Sequence, residues 1–205
     1  MGKGSQEKRG KSYNLGDSCK LVLREGDIAD GKSDAIVNTA HEWLLGGGGV
    51  DGAIHRAAGK ELLDHCRELP NCPPGEHRSK FFMYKSIVWL FSSGFSLRVS
   101  KIIHTVGVAY KKTFSEEQAR KSVETLKNAY KNSLEVARSQ GIKFTAFPAL
   151  SCGINGFPLA KAAQIALETI QEEAHGFSEI DFVLFNQATS RAWSEAAARA
   201  GLQPV

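Results

Sequence analysis

The alternation of short apolar runs with longer amphipathic ones predicts an α/β domain, with a largely parallel sheet covered by helices on both faces. Runs rich in β-branched or aromatic residues fall near 20–25, 34–38, 101–106, 143–147 and 180–185. Helical spacing falls near 51–69, 116–140, 159–175 and 190–200. Two of the strand-to-helix junctions are glycine loops, and in such sheets ligands sit at the carboxyl ends of the strands, where both loops fall. The 205 residues are 42% hydrophobic and 23% charged, which suits one domain able to bury a proper core.

Residues 1–18 read as a basic, disordered tail and 19–205 as the domain. Residues 1–24 carry six basic and two acidic side chains, which accounts for the whole net charge of +4 and leaves the remainder neutral. Such a tail solubilises and makes at most weak contact with nucleic acid. The helix near 51–69 places Ile54, Ala57, Ala58, Leu62 and Leu63 on one side. In the helix near 116–140, Ser115-Glu116-Glu117-Gln118 fits a capping box and Gly141 a stop, with Val123, Leu126, Tyr130, Leu134 and Ala137 along one face. Phe81–Phe91 is strongly apolar, yet too short and too interrupted by Lys85 to span a membrane. It suits an additional edge strand or a partner-binding patch. Cys19, Cys66, Cys72 and Cys152 show neither C-x-x-C nor zinc spacing. With no signal-peptide pattern at the start, they point to unpaired thiols in a reducing compartment, cytoplasm or nucleus.

The first loop, Leu44-Leu45-Gly46-Gly47-Gly48-Gly49-Val50-Asp51, bares its backbone to a phosphate-like ligand, and the helix behind it aims N–H groups at the same place. The second, Ser151-Cys152-Gly153-Ile154-Asn155-Gly156-Phe157-Pro158, repeats the arrangement. Neither reads as a P-loop or a Rossmann fingerprint. A diphosphate held from both sides by N–H groups fits the pair: those of Gly48, Gly49 and Val50 from one loop and those of Ser151, Gly153, Ile154 and Asn155 from the other.

Gly26-Asp27-Ile28, Asp34-Ala35-Ile36-Val37-Asn38, the Gly46–His55 loop, Ile102-Ile103-His104-Thr105-Val106-Gly107 and Ser151–Pro158 resemble, in order, the motifs of the macrodomain family. Asn128–Leu134 and Phe182–Phe185 look most like its plant members. The resemblance implies a three-layer α/β/α sandwich with a mixed, largely parallel sheet and an ADP-ribose ligand. It implies Asp27 and the Ile28 N–H at the adenine. Asn38 opens the family's Asn-x-Ala-Asn motif on the distal-ribose side, and Ser151, Cys152, Gly153, Ile154, Asn155, Gly156 and Phe157 line the second loop. It further implies an acid, Asp51, beside the distal ribose. Two positions depart from the family. His41 stands where the second Asn of the motif is usual, and Asn155 where many relatives carry an aromatic residue. His55 and His104 read as structural.

The expected function is ADP-ribose binding, with hydrolysis of mono-ADP-ribose from acidic protein side chains, or of O-acetyl-ADP-ribose, by Asp51 helped by His41. No metal and no cofactor is expected, the partners are ADP-ribose or ADP-ribosylated proteins, and no membrane association is expected. A non-catalytic reader of ADP-ribosylated partners is the alternative, and an ADP-ribose 1″-phosphate phosphatase is third.

Overall fold

A computed structural model describes residues 10–16, 18–41, 43–68 and 90–205. Seven strands form one mixed sheet: β1 (Lys11–Leu15), β2 (Cys19–Glu25), β3 (Ala35–Ala40), β4 (Leu90–Ser93), β5 (Lys101–Val106), β6 (Phe144–Phe147) and β7 (Glu179–Leu184), in the spatial order β1-β2-β7-β6-β3-β5-β4. The five central strands run parallel. At each edge an antiparallel strand closes the sheet, β1 on β2 and β4 on β5.

Alternation along the strands divides the interior into two cores. Ala35 and Val37 of β3, Ile103 of β5, Phe147 of β6 and Phe182 of β7 face one side. There α3 (Glu116–Ser139), α4 (Leu159–Glu173) and α5 (Gln187–Arg199) bury Tyr130, Leu134, Ala166 and Trp193 against them. Ile36, Ile102, Ala146 and Val183 face the other side, under α1 (Gly49–Ala58) and α2 (Lys60–Glu68) with Ile54, Ala58, Leu62 and Cys66. The result is the expected three-layer sandwich. Tyr130, Phe147, Phe182 and Trp193 meet in tilted ring contacts with centroids 5.6–6.0 Å apart. The capping box at Ser115 forms as read, with Ser115 Oγ accepting from Gln118 N–H and Gln118 Oε1 from Ser115 N–H.

Two expectations change, and a third is met in part. The helix read as continuous over 51–69 breaks at Gly59, whose φ of 91° ends α1. The expected tail is shorter, because Lys11–Leu15 is β1, with Tyr13 and Leu15 buried. The segment near 80–93 supplies an edge strand, β4, at its end, while its earlier part and Cys72 lie outside the described residues. Among the described residues no helix is long and apolar enough to cross a membrane, and Cys19, Cys66 and Cys152 are unpaired.

Candidate functional site

The carboxyl ends of the five parallel strands carry the expected site residues. β2 runs into Gly26-Asp27-Ile28, β3 into His41 and the four-glycine loop, and β6 into the second loop. β5 runs into Gly107–Tyr110 and β7 into Phe185. From β2 to β3 the sheet takes three inter-strand steps, about 14 Å. The row is therefore long enough to place one end of an extended ligand at Asp27 and the other at His41.

At the β2 end, Asp27 is exposed and caps a short 3-10 turn (Ile28–Asp30), its Oδ1 accepting from Ala29 N–H at 2.9 Å. Ile28 is buried beneath it. Gly26 N–H donates to Leu184 O at 3.1 Å, so Asp27 sits beside Phe185, whose ring is 58% exposed. In the sequence, Phe182–Phe185 reads as the end of a strand and as a family marker, not as part of the site. The signal in it was a large ring one residue past a buried strand, where solvent begins.

The first loop is drawn tightly over α1. Gly49 opens the helix with φ 59°, a conformation that L side chains rarely adopt. Gly52 lies so close under the loop that a Cβ there would collide with Gly47 O. The N–H groups of Gly48, Gly49 and Val50 have no hydrogen-bond partner among the described residues, and the positive end of α1 reinforces them. The second loop leaves the N–H groups of Ser151, Gly153, Ile154 and Asn155 equally free. Its other amides shape it: Cys152 N–H donates to Ala149 O, Gly156 N–H to Gly153 O and Phe157 N–H to Ser151 O. The amides of Cys152, Gly156 and Phe157 are thus engaged inside the loop. The Cys152 thiol donates to Leu150 O, and burial pushes its pKa up to about 12. Three ties hold this loop to the fold. Ser151, left-handed at φ 64° and buried, accepts on Oγ from Val108 N–H at 2.9 Å. Leu150 N–H donates to the Tyr130 hydroxyl at 3.1 Å, and Tyr110 N–H to Asn155 O at 2.8 Å. The Asn155 amide lies against Gly107, where a Cβ would strike it, and Ile154 is fully exposed at the tip.

Beneath the first loop lies Asp51, 4% exposed. Its Oδ1 accepts from Asn38 Nδ2 at 2.8 Å and stands 3.5 Å from His55 Nε2. Its Oδ2 faces Gly47 and is buried without a protein partner among the described residues. Asn38 has no exposed surface. The structure places it behind Asp51, not on the cleft wall where the ribose contact was expected. The other contact of its amide nitrogen is His104 Nδ1, at 3.2 Å. Burial, with lesser contributions from His55 and His65, pushes the His104 imidazole down to about 3, so it stays neutral. Neither ring nitrogen of His55 has a hydrogen-bond partner among the described residues. His41 is exposed at the end of β3, and its Nδ1 accepts from Trp43 N–H at 3.4 Å.

A family model described as "Macro domain" matches residues 37–166. The O-acetyl-ADP-ribose deacetylase of Escherichia fergusonii is 38% identical over 182 residues, 85% of this chain and 93% of its own. The Oceanobacillus iheyensis macrodomain, solved with ADP, superposes with a TM-score of 0.81 at 34% identity, covering 96% of this chain and 98% of its own. The Trypanosoma brucei macrodomain in complex with ADP-ribose gives a TM-score of 0.70 at 30% identity, over 86% and 68%. These relatives are bacterial and trypanosomal and lend no support to the expected plant likeness. With two loops of free amides over a macrodomain sheet and a matching family model over residues 37–166, the chain belongs to the macrodomain family.

Proposed function

We propose that this chain binds ADP-ribose along the row of strand ends and hydrolyses mono-ADP-ribose from protein side chains, with O-acetyl-ADP-ribose as a related substrate. The adenine lies at Asp27, the Ile28 N–H and the Phe185 ring, the diphosphate between the two sets of free amides, and the distal ribose over Asp51. The observation that carries the hydrolytic reading is Asp51 Oδ2, a buried carboxylate oxygen without a protein partner among the described residues, facing Gly47 at the start of the loop whose amides would hold the diphosphate. Such an oxygen is placed to take a proton from water. Water adds to the anomeric carbon of the distal ribose, the bond to the side-chain carboxyl oxygen breaks, and the carboxylate leaves. The water proton passes to Oδ2. His41, at the mouth, is in place to bond a ribose hydroxyl.

The reader alternative draws on His41 and Asn155, an imidazole with Nδ1 engaged to Trp43 N–H and an amide packed on Gly107, where the family more often presents an amide and a ring to the ribose. Incubation with an auto-mono-ADP-ribosylated transferase, beside ADP-ribose calorimetry, separates the two. Binding with loss of label supports the hydrolase, and binding with label retained supports the reader.

A further inference from the structure

Asp51 is the visible end of a buried polar chain. Asn38 Nδ2 reaches Asp51 Oδ1 at 2.8 Å and His104 Nδ1 at 3.2 Å, and His104 Nε2 reaches Ser92 Oγ at 3.0 Å. Asn38, His104 and Ser92 are 0%, 1% and 2% exposed, so water does not compete. For a carboxylate at Asp51 the proton inventory then has one solution. An amide nitrogen only donates, so His104 Nδ1 is the acceptor and the imidazole proton sits on Nε2, pointing at Ser92 Oγ. Turning the Asn38 amide over would set its oxygen against a carboxylate oxygen, two acceptors at hydrogen-bond distance. The imidazole and the carboxylate therefore fix the amide from opposite sides. Three strand neighbours supply the chain: Asn38 on β3, His104 on β5 in direct register with it, and Ser92 on the edge strand β4.

We propose that Asn38, His104 and Ser92 are positioning residues for Asp51. Their chain occupies Oδ1 and holds the carboxylate so that Oδ2 alone is turned toward the glycine loop. The inference rests on the hydrolytic reading of Asp51, and it gives β4 a part in the site that its place at the sheet edge does not suggest. None of the three touches ligand, so their loss acts on turnover and spares ADP-ribose affinity.

The test combines kinetics with spectroscopy. Asn38→Leu keeps the shape and removes the donor. Ser92→Ala removes the acceptor of the imidazole proton, and Ser92→Thr restores a hydroxyl. Expected are a fall in kcat of about 10- to 100-fold for Asn38→Leu and about 3- to 10-fold for Ser92→Ala. Recovery toward the parent rate is expected in Ser92→Thr, with ADP-ribose Kd within twofold throughout. Imidazole 15N NMR of the parent should show His104 as the neutral Nε2–H tautomer, a readout independent of hydrolysis. An Nδ1–H tautomer overturns the chain whatever the activity. Parent kcat in folded Asn38→Leu and Ser92→Ala, with Asp51→Asn inactive, overturns the positioning role and leaves the reading of Asp51 standing. Parent kcat in Asp51→Asn, or a parent that binds without hydrolysing, overturns that reading and the positioning role with it.

Discussion

Gly52→Ala adds one methyl group at the tightest contact of the candidate site. The new Cβ falls inside contact distance of Gly47 O and 3.1 Å from Arg56 Nη1. The arginine is the end of a flexible side chain and yields. The carbonyl belongs to backbone and must withdraw by roughly an ångström. Two terms oppose each other in stability. Overpacking costs about 1–3 kcal/mol, and replacing a helical glycine by alanine returns about 1 kcal/mol. The net is about 0–2 kcal/mol, or a Tm lower by at most about 8 °C for a domain of this size. Binding should suffer more. Gly47 precedes the three free amides of the first loop, and an ångström of displacement takes one or two of them off the diphosphate. At about 1.5–3 kcal/mol for a hydrogen bond to a charged group, Kd for ADP-ribose should rise at least about tenfold. Calorimetry measures it. A Gly52→Ala protein that binds within twofold of the parent would refute the reasoning.

Asp51→Asn should lower hydrolysis by about 10²–10⁴ while ADP-ribose Kd moves less than about threefold, as single-turnover label release and calorimetry will show. Phe185→Ala should leave Tm unchanged, since the ring is mostly in solvent, and weaken ADP-ribose by about 1–3 kcal/mol. Unchanged Kd would remove the ring from the adenine site. Burial, with Glu179 adding to it, lifts the Asp181 carboxyl to about 6 against the pull of the Arg24 guanidinium 3.0 Å away. An acid whose pKa is raised by folding holds its proton more tightly in the native state, so its contribution to stability is present at low pH and is lost as pH rises from about 4 to about 6. Asp181→Asn should flatten that part of the urea-unfolding profile, and a parent profile without the slope would speak against the shift.

What was legible in the sequence was local. Strand patterns, glycine loops and the capping box each lie within a dozen residues, and each formed where expected. Long-range pairing was not legible. Asn38 reads as a motif residue facing ligand, and only the meeting of β3, β5 and α1 turns it toward Asp51 and His104. Gly59 interrupts a helix whose apolar spacing continues on both sides, so periodicity carried straight through the break. β1 does alternate, with Tyr13 and Leu15 inward, but its lysine- and glycine-rich flanks outweighed five residues of pattern. The amides of Cys152, Gly156 and Phe157 differ from their neighbours only in which carbonyl each one finds, and side-chain identity does not encode that.

The two loops are anchored in different cores. Leu44 and Val50 pack with the α1–α2 side, and Leu150 and Phe157 with the α3–α5 side. A molecule gripped by both loops therefore acts as a clamp across the sheet, and its binding free energy is added to the cohesion of two layers that lie on opposite faces of the sheet. By mass action that addition is about 2.7 kcal/mol at a hundredfold excess over Kd. Linkage makes the relation mutual. Loosening either layer, even at a residue far from the cleft, weakens the grip on the ligand, and saturating the cleft slows amide hydrogen exchange in helices that never touch it.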